Sequence, residues 1–261
     1  KPLPCKFEFI PLGETPKPDF GPESGEEEVK NLIYAAHGEF KRRFPTGKYR
    51  VLVSRGPEYD AIDTEIEVRA GETVSREGTL VRSVQTPGWV STDFIGDNTG
   101  SQFGRVLNLI CEHIEFAPCT EHNRISTYEP HIDRLKAHHL IATVSGMELT
   151  GQPLLLNHQN VFPLVMKPRQ QDGGGPQTDL DPEVQMERVA LWDNRSEKVI
   201  QQNHPDIGWL FYDRDGDGNP DKGYFRSFGF MDVMEIHPID AIWRLDPKGV
   251  YEGYPGNNRM L

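Results

Sequence analysis

Four short polar segments carry the residue types most able to do chemistry, and each follows an extended or helical pattern. Together they offer Glu121, His122, Glu148, His158 and His204. Neutral imidazole and carboxylate oxygens are the ligands of hydrolytic zinc sites, at distances of about 2.0–2.2 Å. Apolar strands seldom end repeatedly in buried ionisable groups unless a counter-ion is present. The recurrence therefore favours a divalent cation site, with His122, His158 and His204 as candidate ligands.

Each of these residues also has a purely structural interpretation. A single histidine after a strand is often a hydrogen-bonding cap rather than a ligand. Glu148, between Met147 and Leu149, would also suit a buried carboxylate that pairs with an arginine. Residue type and spacing leave both interpretations open.

Other catalytic patterns find little support in the sequence. The three cysteines, Cys5, Cys111 and Cys119, have no CxxC spacing, which argues against a thiolate zinc site and a disulfide scaffold. Gly173-Gly-Gly175 lacks the lysine of a phosphate loop, and no G-x-S-x-G elbow occurs. A metal centre remains the leading candidate.

Length and charge limit the function classes. The chain has 261 residues and a net charge of −12, which argues against nucleic-acid or anionic-membrane surfaces. No apolar run approaches the roughly 20 residues of a membrane span. We expect a soluble protein without a signal peptide at the start of this sequence; a periplasmic or secreted location would fit a chain from which a leader was removed.

Elements rich in β-branched and aromatic residues dominate residues 1–86. Alternation predicts strands over Cys5–Ile10, Lys48–Ser54, Thr64–Val68 and Thr79–Val84. Short strands separated by Pro/Gly turns predict a small antiparallel β-sandwich domain.

Residues 87–261 alternate between helical and extended patterns and contain eight of the nine histidines. Helical spacing covers Ser101–Phe116, His131–Leu140 and Pro182–Ile200, whereas Ile141–Ser145, Val161–Met166 and Met231–Ile236 read as strands. This alternation predicts a second, α/β domain with a largely parallel sheet. His237, directly after the last of these strands, is a candidate substrate contact.

The polar segments, in this order, resemble the motifs of the CehA/McbA-type metallohydrolases of the polymerase-and-histidinol-phosphatase (PHP) superfamily. Thr120-Glu-His-Asn123 is similar to the family's T-D-H-N segment, and Gly146-Met-Glu148 to its G-x-E segment. Asn157-His158 and Asn203-His-Pro205 resemble its later histidine motifs. The resemblance runs from about Gly88 to the C-terminus.

The resemblance implies a distorted (β/α)7-type barrel preceded by a carboxypeptidase-regulatory-like sandwich. It implies one to three divalent cations (Zn, Mn or Fe) that activate water against a small phosphate or carboxyl ester. Glu148 would bridge two cations, and Asp97 would stand where the family places a further acidic ligand. Glu121 and Asn123 would orient ligands or substrate.

Two family motifs have no counterpart in this sequence. The family opens this domain with an H-x-H pair and closes it with a D-x-H pair, and the chain contains neither. Their absence fits a chain that lacks pieces of a longer protein, such as its C-terminal part, or an incomplete barrel. It also supports an alternative function, a catalytically impaired hydrolase scaffold that binds carbohydrate or another surface.

We predict that the acidic segment Asp213–Asp221 does not bind calcium tightly. Its aspartates at 213, 215 and 217 resemble the start of an EF-hand loop, but position twelve is Tyr224 instead of a bidentate glutamate. Calorimetric titration with calcium should detect no sub-micromolar site. Tight binding that Asp215→Ala abolishes would contradict this prediction.

Overall fold

The computed structural model of the chain describes residues 2–94, 100–153, 156–205, 210–211, 213–215, 217 and 219–235. The chain forms two compact units. Unit 1 comprises Lys1–Asp93, Asn98–Ala117 and Tyr128–Thr143, and unit 2 comprises Phe94–Asp97, Pro118–Thr127 and Val144–Leu261. The expected division into two domains, residues 1–86 and 87–261, stays a prediction.

Unit 1 contains a five-stranded antiparallel sheet. Its strands are β1 (Cys5–Leu12), β2 (Glu28–Val29), β3 (Leu32–Ala35), β4 (Gly47–Ser54) and β5 (Ile62–Val68), in the order β2-β3-β1-β4-β5. Alternate residues of β4, including Tyr49, Val51 and Val53, are buried against Phe9 of β1. The antiparallel, sandwich-like part predicted for the N-terminal segment is therefore confirmed.

The predicted strand Thr79–Val84 is wrong. Only an isolated bridge joins Arg82 to Tyr59 in this segment. Leu80 packs against the core of the sheet while partly buried, but Val81 and Val84 are 54% and 48% exposed, so neither face of the segment is fully buried. Alternation predicts a strand only where one face is buried.

The helices of unit 1 are α1 (Gln102–Cys111) and α2 (Glu129–Leu135). The Ser101 hydroxyl caps α1 by accepting a hydrogen bond from the Gly104 amide, and serine is a favoured residue at this position. α1 packs against β1 and β3. It ends before the predicted Phe116, because Phe116–Cys119 forms strand β6, which pairs with β7 (Ala142–Ser145). Lys136 ends α2 in a left-handed conformation, short of the predicted Leu140.

Unit 2 contains a four-stranded sheet that is mostly antiparallel. Its strands are β8 (Met147–Thr150), β9 (His158–Phe162), β10 (Val199–Gln202) and β11 (Val233–Met234), in the order β11-β10-β9-β8. Only β10 and β11 are parallel within this sheet. The chain is mixed α/β, but its described residues form no closed (β/α)7 barrel.

The expectation of a largely parallel sheet is wrong for these strands. A parallel connection needs a crossover of a dozen or more residues, usually with a helix. The segment 151–157 between β8 and β9 is too short for this, so the two strands form an antiparallel pair.

Helix α3 (Pro182–Arg195) packs against one face of this sheet. Asp181 caps it by accepting hydrogen bonds from the amides of Glu183 and Val184. Met186 and Val189 bury themselves against apolar side chains of the strands, which are Met147, Leu149, Val161 and Ile200. The predicted helix through Ile200 is too long, because Val199–Gln202 is strand β10. In the described ranges, no helix is both long and apolar enough to cross a membrane.

We predict that Cys5 and Cys111, both in unit 1, do not react with thiol reagents in the folded protein. Burial raises the pKa of the Cys5 thiol to about 11 and raises the pKa of Cys111 well above its usual range. The thiolate is the reactive form, and both groups stay protonated at pH 8.

Alkylation with iodoacetamide at pH 8, followed by peptide mapping, checks this expectation. Both cysteines should be labelled only after denaturation in guanidinium. Rapid labelling of either thiol in the native protein would show that the prediction is wrong.

Candidate metal centre

The two faces of the β8–β11 sheet differ in chemistry. Glu148 lies opposite Asn160, and Thr150 lies opposite His158. Directly paired residues point to the same face, and side chains alternate along each strand. These four polar residues therefore share one face, whereas the opposite face carries the apolar side chains that pack against α3.

Glu148 is the buried carboxylate of the polar face, with an exposure of 2%. Its Oε1 lies 3.0 Å from His158 Nδ1 and accepts a hydrogen bond from the Thr150 hydroxyl at 3.2 Å. Its Oε2 lies 3.6 Å from His122 Nε2. Among the described residues, the groups that contact the Glu148 carboxylate are thus two histidines and a hydroxyl, not the arginine that a purely structural ion pair would provide.

His158 and His204 bring their imidazoles together at this carboxylate. His204 Nε2 lies 2.9 Å from His158 Nδ1. One donor atom from each of Glu148, His158 and His204 lies within 4.8 Å of the others. The opposite nitrogen of His158, Nε2, is buried and finds no hydrogen-bond partner among the described residues. Three residues of metal-binding types therefore converge on one point.

The orientation of His204 depends on Glu235, which lies just after β11. Glu235 Oε2 accepts a hydrogen bond from the His204 backbone amide at 2.7 Å and lies 3.1 Å from His204 Nδ1. His204 has a φ of +27°, a backbone angle that residues other than glycine seldom adopt. Glu235 thus holds both the backbone and the ring of this residue.

His122 reaches the site from a loop that runs beside β8. The Glu148 amide donates to the carbonyl of Glu121, and the Asn123 amide donates to the carbonyl of Glu148. Asn123 also exchanges two side-chain hydrogen bonds with the backbone of Thr150, at 2.9 and 3.0 Å. Asn123 therefore fixes the loop to the strand, and its neighbour His122 stands beside Glu148 with a side chain that is 52% exposed.

A chain of buried carboxamides supports the backbone of His158 from the other face. Gln185 of α3 donates to Gln159 Oε1, and Gln159 donates to Gln202 Oε1 at 2.8 Å. Gln202 in turn donates to the carbonyl of His158 at 3.1 Å. All three glutamines are fully buried, so these bonds fix β9 and β10 at the site.

The structure brings together four of the predicted site residues, His122, Glu148, His158 and His204. Asn123 contacts the backbone of β8, and Glu121 contributes its carbonyl there, so both lie beside the cluster. Asp97 and His237 lie outside the described residues. Whether the clustered residues bind a cation stays a prediction.

Sequence reasoning missed Glu235, although a signal existed. Glu235 is an acidic residue at the end of the predicted strand Met231–Ile236. The sequence interpretation selected His237, directly after that strand, as a candidate substrate contact and did not consider Glu235.

The aspartates of the calcium-like loop also lie close together. Carboxylate oxygens of Asp213, Asp215 and Asp217 fall within 4.8 Å of one another. Asp217 is exposed, and the side chain and amide of Asn219 hold its pKa below the usual range. Exposed acidic groups often cluster without binding a cation, so this proximity does not by itself indicate a calcium site. The absence of tight calcium binding stays a prediction.

Comparisons with protein-family models, with curated proteins and with solved structures return no match to this chain. The resemblance to the PHP superfamily therefore rests on the motifs of the sequence alone.

We predict that Gly146→Ala destabilises the site by about 1–3 kcal/mol, the usual cost of overpacking. A Cβ at this position would lie 2.7 Å from the carbonyl of Val161 and 2.9 Å from Phe162 Cβ. Either the segment that joins β7 to β8 or strand β9 must therefore move, and β8 and β9 carry Glu148 and His158.

Urea denaturation of Gly146→Ala and of the control Gly229→Ala measures this cost. A Cβ at Gly229 meets nothing within 4 Å, so the control should unfold close to the wild-type midpoint. Equal midpoints for both variants would contradict the prediction.

Proposed function

We propose that this chain is a metal-dependent hydrolase in which Glu148, His158 and His204 hold a divalent cation. The observation that carries this proposal is the convergence of their donor atoms within 4.8 Å. Two ligands about 2.05 Å from a tetrahedral zinc ion lie about 3.3 Å apart. The separations of 2.9 and 3.0 Å at His158 Nδ1 are close to that spacing.

The donor atoms fit a cation better than they fit one another. His158 Nδ1 faces both Glu148 Oε1 and His204 Nε2, but one ring nitrogen carries at most one proton. A single proton satisfies only one of the two neighbours. The other neighbour then receives no hydrogen bond from this nitrogen, and a positive ion between the three atoms would attract all of them.

Glu148 also supports a second cation position. Its two oxygens face different histidines, Oε1 towards His158 and Oε2 towards His122. A carboxylate in this arrangement suits a bridging role between two cations, as the PHP resemblance implies. The proposal covers one or two of Zn, Mn or Fe held by these four residues.

A bound divalent cation lowers the pKa of water towards about 7 and polarises an ester oxygen. The chain's own residues supply the orientation. Glu148 and His158 are buried, whereas the side chains of His122 and His204 are 52% and 31% exposed. A small phosphate or carboxyl ester would therefore approach from the side of His122 and His204.

The motifs support a relationship of the chain to the CehA/McbA-type PHP proteins. The proposal therefore includes a barrel-like arrangement of the second domain. A second candidate function follows from the missing H-x-H and D-x-H pairs. In that case the same residues would hold a structural cation in a scaffold that binds carbohydrate or another surface.

Elemental analysis of the purified protein tests the proposal directly. We expect at least one equivalent of Zn, Mn or Fe per chain in the wild type. His158→Ala, His204→Ala and Glu148→Gln should each lose most of it. The matched control is His138→Ala, because His138 is an exposed histidine of unit 1 that pairs with Asp133 and Glu129.

Hydrolysis of p-nitrophenyl phosphate and p-nitrophenyl acetate then separates the two candidate functions. A metal-dependent hydrolase should act on one of them, and removal of the metal by a chelator should abolish turnover. Bound metal without turnover would favour the scaffold. A wild-type protein that binds none of the three metals, even after titration, would overturn both.

A further inference from the structure

We infer that Glu235 is a positioning residue that places the proton of His204 on Nδ1 and aims Nε2 at the cation site. This inference rests on the proposed function, because it deepens the account of the same centre. Its first part, the choice of tautomer, holds for the protein without metal.

The geometry of Glu235 explains the choice. An ionised carboxylate accepts hydrogen bonds and cannot donate them. With Glu235 Oε2 at 3.1 Å, His204 Nδ1 must therefore carry the proton. The neutral ring then has its lone pair on Nε2, the nitrogen that lies 2.9 Å from His158 Nδ1.

The same oxygen also fixes the backbone that carries the ring. Glu235 Oε2 accepts the amide of His204 at 2.7 Å. The unusual φ of +27° at His204 places ring and amide so that one carboxylate oxygen reaches both. Removal of the Glu235 carboxylate would remove both hydrogen bonds, so the backbone conformation and the ring orientation of His204 would be less constrained.

Glu235 is itself held in place by the sheet. Its amide donates to the carbonyl of Gln202 at 2.8 Å, which continues the parallel pairing of β11 with β10. Its side chain is 13% exposed, so water competes little for the carboxylate. Carboxylates behind metal-bound histidines typically change metal affinity by about 10–100-fold.

Nitrogen NMR of the ¹⁵N-histidine-labelled protein without metal, at pH 8, tests the tautomer. The His204 signal, assigned by its loss in His204→Ala, should show a protonated Nδ1 in the wild type. Glu235→Ala should shift it towards the other tautomer. A wild-type His204 with its proton on Nε2 would overturn the inference.

Zinc competition with a chromophoric chelator tests the consequence for the metal. Glu235→Ala should bind zinc about 10–100-fold more weakly than the wild type. Glu235→Gln should lose less, because its amide oxygen still accepts from both nitrogen atoms of His204. The control Glu187→Gln should bind as the wild type does, because Glu187 is exposed and pairs with Arg226.

Two measurements separate a positioning role from a general loss of structure. Circular dichroism and thermal melts compare the folds of the variants, and Co²⁺ absorption bands report the geometry of the bound ion. If Glu235→Ala fails to fold, the wild-type tautomer and the affinity of Glu235→Gln still decide. Wild-type zinc affinity and unchanged cobalt bands in folded Glu235→Ala would overturn the inference.

A protein that binds no metal at all gives a different result. In that case the proposed function fails, while the His204 tautomer still reports whether Glu235 controls the ring. The two failures are therefore distinguishable in one set of samples.

Discussion

The burial of one carboxylate, that of Glu148, constrains the whole of unit 2. An ionised group taken out of water costs several kcal/mol unless nearby groups compensate for the lost hydration. Within the described residues, the groups around it are His122, His158 and the hydroxyl of Thr150. None of these carries a permanent positive charge, and the cation that we propose would compensate the charge of this carboxylate.

This constraint explains why one sheet has two such different faces. On the side of α3, Met186 and Val189 pack against apolar side chains and supply the hydrophobic driving force. On the other side, polar side chains occupy alternate positions of β8 and β9. Buried carboxamides of the apolar face hold the strands that carry the polar face. Gln159 and Gln202 hydrogen-bond to each other and to backbone carbonyls, including that of His158. The apolar face therefore provides the stability that the polar face lacks.

The sequence predicts local elements well and their pairing poorly. Alternation predicts β1, β4 and β5, and helical spacing from Ser101 predicts the start of α1, because these signals lie within a few residues. The predicted helix Pro182–Ile200 overlaps the start of strand β10. A strand as short as Val199–Gln202 is too short to show an alternating pattern of apolar residues. The antiparallel pairing of β8 with β9 depends on the short connection, and the expected parallel barrel overlooked that limit.

The same distinction applies to the candidate site. The types of its donors are local properties, so His122, Glu148, His158 and His204 can be selected from the sequence. The direction of each donor is not local. The ring of His204 is set by Glu235, which lies 31 residues further along the chain and comes beside it only because β11 pairs with β10. Glu235 occupies the nitrogen of His204 that faces away from His158, and this contact arises from tertiary pairing rather than from any motif.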